Sequence, residues 1–303
     1  MINRRNFFKQ SGAALCTAAL AGASLHTPLH AAAQRKAANK QIGLQLYSLR
    51  ADMGRDADAT LKAVAGMGYK LLESYGYNRR TFFGFTPADF NKQLAGLGMR
   101  MTSSHTGFGV YADDSAQAWD ALKQNMEDTK TAGAKWIVQA GYPGGRFTKL
   151  DEVKRLSETF NRIGETAKSF ALKFAYHNHT EEFAPIEHKI PYQQYIEQTD
   201  KELVTFQMDI GHVANAMGDY IGYLLKYPGR FSVLHIRDTD IQTKAATEFG
   251  EGDVRMKELF DLFPRQGEGL EDYFVEQEEY ASTPLESVKK CYDYLDKAAF
   301  VRW

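Results

Sequence analysis

Leu172–His179 reads LKFAYHNH. Side chains alternate faces along a strand. Leu172, Phe174 and Tyr176 therefore share one face, which is apolar and suited to packing under helices. Lys173, Ala175, His177 and His179 share the other, so two imidazoles gather at the C-terminal end of the strand. A strand with a helix-facing apolar side and a polar tip on its inner side belongs to a closed parallel sheet, provided that other strands repeat the arrangement.

Seven further stretches repeat it: 42–48, 69–75, 99–105, 136–141, 204–211, 231–238 and 273–279. Helical patterns lie between them. TPADFNKQLAGLG places a Thr cap and a first-turn Pro before an amphipathic run that ends in Gly. Val153, Leu156, Phe160, Ile163, Ala167 and Phe170 recur at steps of three and four, as do Leu285, Val288, Tyr292 and Leu295 after Pro284. Strands that alternate with helices over 41–303, with no linker or break in composition, predict a single (β/α)8 barrel. A doubly wound open sheet is the alternative.

The same parity test on every strand predicts which side chains point inward. It leaves Gln45 and Tyr47, Glu73, His105, Gln139, His177, Asp209, His235 with Arg237, and Glu276 with Glu278 on the inner face, and it turns Trp136 and Val138 outward. Each strand thus brings a polar residue to its C-terminal end, where barrel enzymes build their sites. Burying so many polar groups without a ligand would cost roughly 1–3 kcal/mol per unsatisfied group. The ring therefore reads as a site. Two imidazoles and two carboxylates on consecutive strands, His177, Asp209, His235 and Glu276, suit one divalent ion of borderline softness such as Zn, Mn or Co. A His–acid ion-pair network is the bland alternative.

The N-terminus has a different character. Arg4 and Arg5 precede an apolar, Ala-rich stretch, and Ala31 and Ala33 form a small-x-small cleavage signal. Residues 1–33 are expected to be a twin-arginine (Tat) signal peptide and 34–40 a disordered lead-in, which puts the mature protein in the periplasm. Losing three cations and no acid moves the formal charge from −1 to about −4. No basic run remains for nucleic acid and no segment is long enough for a membrane, which needs about 20 apolar residues. Of the two cysteines only Cys291 stays in the mature chain, so an internal disulfide is excluded and a place in the core of the last helix is expected. A homo-oligomer is compatible with this composition.

GLQLYSLR (43–50), SSHTGF (103–108), YHNHTEEF (176–183), MDIGHVANAMGD (208–219), LHIRDTD (234–240), EFGEGDV (248–254) and YFVEQE (273–278) resemble the xylose isomerase-like TIM-barrel superfamily. Its members are often labelled sugar phosphate isomerase/epimerase and include inosose and keto-sugar dehydratases and lyases. The resemblance covers about residues 41–300. It implies a metal held by a Glu on strand five, an Asp on strand six, a His on strand seven and a Glu on strand eight. Asp209, His235 and Glu276 match that set, while His177 stands where the family has a glutamate. In the epimerases the two glutamates are the proton-transfer pair, so the resemblance argues against two-base epimerisation here. His179 is similar to the base of the superfamily's dehydratases. Arg237 replaces a lysine that those enzymes carry, and it can hold an oxyanion but not shuttle a proton.

The expected activity is metal-dependent proton abstraction next to a carbonyl of a non-phosphorylated keto-sugar or glycoside, with β-elimination favoured over aldose–ketose isomerisation or epimerisation. His179 or Glu276 is the expected base. His105 is expected to touch substrate or donate a proton, and Arg237 to hold the oxyanion. Gln45, Tyr47, Glu73, Gln139, His212 and Glu251 are the expected substrate contacts. Two rivals stand beside this reading. One is a non-catalytic carbohydrate-binding barrel using Tyr47, Tyr75, Tyr77, Phe108 and Tyr111. The other is phosphodiester cleavage, which would need a basic groove.

Overall fold

The computed structural model describes residues 40–142, 148–216, 218–263 and 269–302. The expected signal peptide, and the lead-in up to residue 39, lie outside them. Lys40 does not: its ammonium donates to the carbonyls of Leu295, Asp296 and Ala298 and so caps the end of the last helix.

Eight parallel strands close a barrel. They are β1 (Gly43–Gln45), β2 (Leu71–Ser74), β3 (Arg100–Thr106), β4 (Trp136–Ala140), β5 (Lys173–His177), β6 (Val204–Asp209), β7 (Val233–Ile236) and β8 (Asp272–Val275). They neighbour one another in chain order, and β1 pairs with both β2 and β8. The open sheet is thereby excluded. Helices follow the expected signals: Thr86 caps Pro87–Gly96, and Thr283 with Glu286 forms a capping box before Pro284–Lys297. Cys291 is buried in that last helix. No described helix is long and apolar enough to cross a membrane.

Two apolar regions divide the core. The larger lies between sheet and helices and takes Leu44, Leu72, Phe174, Tyr176, Phe206, Met208, Leu234 and Tyr273 from the strands. The smaller plugs the barrel itself: Leu71, Trp136, Val138, Ala175, Val233 and Phe274. Gly43 completes that plug, because a Cβ there would collide with the Phe274 ring. The plug corrects the parity expected for β4, since Trp136 and Val138 point inward. Gln139 therefore leaves the ring. Its Oε1 accepts from the Phe108 amide (3.1 Å) and its Nε2 donates to the Gly141 carbonyl (2.8 Å), so it ties two loops together.

Several strands are shorter than their sequence patterns. β1 stops at Gln45 because its side chain accepts from the Tyr47 amide (3.0 Å) and starts a 3-10 turn over Leu46–Leu49. β6 passes at Asp209 directly into the helix Ile210–Ala216.

Candidate metal centre and its surroundings

A polar layer sits on the plug. Register sets its height, with Glu73 beside Ser103, His177 beside Gln207 and Asp209 beside His235. An irregularity between Leu72 and Glu73 brings Glu73 level with Ser103. His177, Asp209, His235 and Glu276 each offer a ligand atom, and these atoms lie within 4.8 Å of one another. All four residues are buried. Two of their atoms, His177 Nδ1 and Asp209 Oδ2, are buried and without a hydrogen-bond partner. Buried polar atoms are normally satisfied, so two orphans within one ligand-sized cluster fit a cation that both would hold. The donor set of two nitrogens and two oxygens fits a divalent ion.

Three of the four, Asp209, His235 and Glu276, are held from behind. The Asp209 Oδ1 accepts from the His212 amide (2.7 Å), one turn into the following helix. Glu276 Oε2 meets His235 Nδ1 at 2.8 Å and Arg237 Nη2 at 3.2 Å. The other His235 nitrogen bonds to Glu73 Oε2. Glu73 is wholly buried and also accepts from Gln45, Ser103 and Gln207. A carboxylate behind a ligand imidazole fixes its ring and tautomer. Glu73 and Gln45, expected as substrate contacts, are thus buried supports of the layer.

Charge is balanced within the cluster. Burial would lower the His235 imidazole, but Glu276 and Glu73 on either side push it up to about 10. Burial would likewise raise the Glu276 carboxyl, but His235 and Arg237 hold it well below the usual carboxylate range. For His177 the pull of Glu276 is outweighed, and burial, helped by the neighbouring His235, His105 and His179, drives it far down. It is a neutral imidazole.

Arg237 Nη2 lies 2.8 Å from Glu278, 3.2 Å from Glu276 and 3.8 Å from Asp209. Its first role is to balance three carboxylates. The backbone of Gly211 leaves room for it, since a Cβ there would strike the Arg237 side chain.

His105 contacts Gln207 Oε1 at 2.5 Å and stacks on His235 at a centroid distance of 4.9 Å. From there imidazoles continue outward: His177 lies 4.8 Å from His105, His179 5.2 Å from His177, and His212 5.1 Å from His179. His179 and His212 are partly exposed and line a cavity of about 310 Å³ with Tyr142, Thr180, Glu181 and Glu182. The expected base therefore stands between the ligand cluster and open space.

The remaining expected residues fall outside this cluster. Tyr47 is an exposed rim aromatic, edge-on to Tyr75 at 5.3 Å and covered by the Arg50 guanidinium. Glu251 is exposed on its loop and lies toward Cys291, whose thiol is pushed up to about 12 by burial first and by acids including Glu251. That loop is organised from below by Asp238, which accepts from the amides of Gly250, Gly252 and Val254. Of the aromatics proposed for sugar stacking, Phe108 and Tyr111 pack against the core and Tyr77 bonds to Asp128. Sequence reasoning missed Gln207, which links Glu73 to His105. Its place on the inner face of β6, two residues before Asp209, was the available signal.

The model of the xylose isomerase-like TIM barrel matches residues 61–296. The chain belongs to the xylose isomerase-like TIM-barrel family. Two solved structures of sugar phosphate isomerase/epimerase proteins from Parabacteroides distasonis are similar over most of this member. One is 30% identical with a TM-score of 0.76 and covers 86% of this chain and 99% of its own. The other is 27% identical with a TM-score of 0.79 and covers 91% and 100%. Inosose dehydratase of Clostridium tetani is 27% identical over 173 residues, 51% of this chain and 57% of the relative. The chain spans about half the length of the curated relatives it matches.

Proposed function

We propose that this family member is a metal-dependent enzyme that removes the proton next to a carbonyl of a non-phosphorylated keto-sugar or glycoside and then expels a β-oxygen. The observation that carries the reading is the four-residue cluster with its two orphaned buried atoms, placed directly behind His179. His177, Asp209, His235 and Glu276 would hold one ion, with Zn, Mn and Co the best suited. When bound, such an ion polarises a carbonyl and stabilises the negative charge that develops as the neighbouring proton leaves.

The chain's own residues divide the rest of the work. Glu276 is poorly suited as the base, because His235 and Arg237 already stabilise its ionised form. His179 is better suited, since no hydrogen bond engages its ring among the described residues and it borders the cavity. It accepts the proton, the freed electron pair forms the double bond, and the departing oxygen can take the same proton back. His105 lies deeper and can contact a substrate oxygen only on its outer edge. Tyr47 offers an aromatic face at the rim.

The inosose dehydratases support elimination through the chemistry in their name, over half their length. The Parabacteroides proteins, named isomerase/epimerase, support return of the proton to carbon instead. The histidine at position 177 favours the former, since the strand-five carboxylate that would serve a second face is missing. An N-terminal twin-arginine signal over residues 1–33, a periplasmic location and a 41–303 mature barrel complete the proposal. Non-phosphorylated sugars suit that compartment.

The test is incubation with a panel of keto-sugars, keto-glycosides and inososes in heavy water. Deuterium at the carbon next to the carbonyl, or an unsaturated product seen by NMR, is expected, and both should vanish in His179→Ala. Interconversion of free aldoses and ketoses with neither exchange nor elimination on the keto-sugars would overturn the preference for elimination.

A further inference from the structure

His177 is shared between two different ligand-sized clusters. One is the set with Asp209, His235 and Glu276. The other joins it to His179 and His212, whose ligand nitrogens also lie within 4.8 Å of one another and of His177. We propose that His177, His179 and His212 form a second cation seat made only of nitrogen, and that filling it with an imidazole-preferring ion such as Zn, Ni or Cu(II) silences the enzyme by occupying His179. The second half of the proposal rests on the reading of His179 as the base.

Ring nitrogens are available at this seat. His212 Nδ1 faces Thr180 Oγ1 at 3.1 Å, which leaves Nε2 as its ligand atom. His179 is positioned without using its ring for hydrogen bonding. Its amide donates to Glu182 Oε2 (3.0 Å), and the Nδ1–Cε1 edge of the ring packs on Gly141, where a Cβ would collide with it. His177 brings its buried, unpartnered Nδ1. A third histidine group, His105, His177 and His235, is equally compact, but His105 Nε2 is bonded to Gln207 and His235 already belongs to the inner set. The 310 Å³ cavity over His179 and His212 supplies both an entry path and space for the waters that would complete a coordination shell.

The shared histidine sets the rule of occupancy. A neutral imidazole has one lone pair for a metal. His177 can therefore serve one seat at a time. An ion content with carboxylates, such as Mn, gains little from three imidazoles and stays with Asp209, His235 and Glu276. An ion that favours imidazole can take the outer seat as well, drawing His177 away from the inner one. Excess Zn should then inhibit where excess Mn does not.

Metal-free full-length mature protein is titrated with Zn and, separately, with Mn, and bound ions are counted by equilibrium dialysis with elemental analysis. Two Zn and one Mn per chain are expected for the wild type. His212→Ala should bind one Zn and one Mn. Asp209→Ala should lose the Mn and keep one Zn. In a substrate exchange assay, Zn beyond the first equivalent should abolish α-proton exchange in the wild type. The seat is refuted if the wild type stops at one Zn, or if the second Zn persists in both His212→Ala and His179→Ala. If His212→Ala fails to show the wild-type circular dichroism, His212→Gln takes its place. Retention of Mn by Asp209→Ala would overturn the inner site instead, so the two failures are distinguishable. Loss of the second Zn without relief of Zn inhibition would refute the silencing alone.

Discussion

His235 sits between two carboxylates, and each of its ring nitrogens faces one of them. That geometry stores a proton. Glu276 and Glu73 raise the imidazole to about 10, so without a metal the ring is an imidazolium at neutral pH. An imidazolium cannot be a ligand, because ligation needs a free lone pair. Occupation of the inner site must therefore expel one proton. Neither Glu276, already ionised, nor His177, pushed far down by burial and already neutral, adds another. At pH 7 the proton is held about three units below its release point. At about 1.4 kcal/mol per unit this weakens metal binding by roughly 4 kcal/mol, about a thousandfold in apparent affinity. Calorimetric titration with Mn in two buffers of different ionisation enthalpy at pH 7.5 should report about one proton released per ion. The apparent dissociation constant should tighten about tenfold per pH unit up to pH 10 and then level. Glu73→Gln removes one of the two carboxylates and should shift the levelling point to lower pH. A pH-independent affinity between pH 7 and 9, with no proton released, would refute the whole account of His235.

The same ion pairs stabilise the metal-free fold. An imidazole whose folded value is about 10 against an unfolded value of about 6.5 contributes fully below the lower figure and loses that contribution as pH rises through the upper one. Thermal melts of chelated protein should show its stability advantage shrinking between pH 7 and 10, and an alkaline rise in melting temperature would contradict this. Gly141 has a φ of +68° and holds the place against which the His179 ring packs. Gly141→Ala should cost about 1–3 kcal/mol of stability and lower α-proton exchange by at least about tenfold while one Mn still binds, and unchanged exchange would show that His179 does not need its present position. Arg4 and Arg5 changed together to Lys should leave the precursor in the cytoplasm by cell fractionation, and normal export of that variant would refute the twin-arginine route.

The barrel was legible because its strands advertise themselves twice, through apolar residues that face the helices and polar residues at the C-terminal tips. Parity worked wherever the two faces differ in chemistry. On β5, β6, β7 and β8 the outward residues are the apolar ones, and His177, Asp209, His235 and Glu276 fall together as their alternation predicts. Parity failed on β4 because both faces of that strand are buried. Trp136 and Val138 fill the barrel while Ile137 packs under the helices, so hydrophobicity carries no direction there. Gln139 was misplaced by the same ambiguity.

What the sequence could not convey is how polar groups share out their bonds. Gln45, Glu73, Gln139 and Arg237 are the right residue types for contacting a sugar. Three-dimensional pairing shows each already engaged with neighbours within the protein. The contrast with His177, Asp209 and His179 is therefore the informative one. His177 Nδ1 and Asp209 Oδ2 are buried without hydrogen-bond partners, and the His179 ring is free of hydrogen bonds among the described residues. A side chain's identity says what it can bind, whereas its unspent bonding capacity says what it is waiting for. Among the four candidate ligands that capacity lies with His177 and Asp209, where β5 and β6 end. With His177 where the resemblance implies a glutamate, the candidate inner set carries one negative charge fewer than the implied one. On the proposed function, an ion held there would withdraw electron density more strongly from a bound carbonyl. That favours building up charge next to the carbonyl, the step that precedes loss of a β-oxygen. On the same reading, no strand-five carboxylate stands at position 177 to deliver a proton to the opposite face.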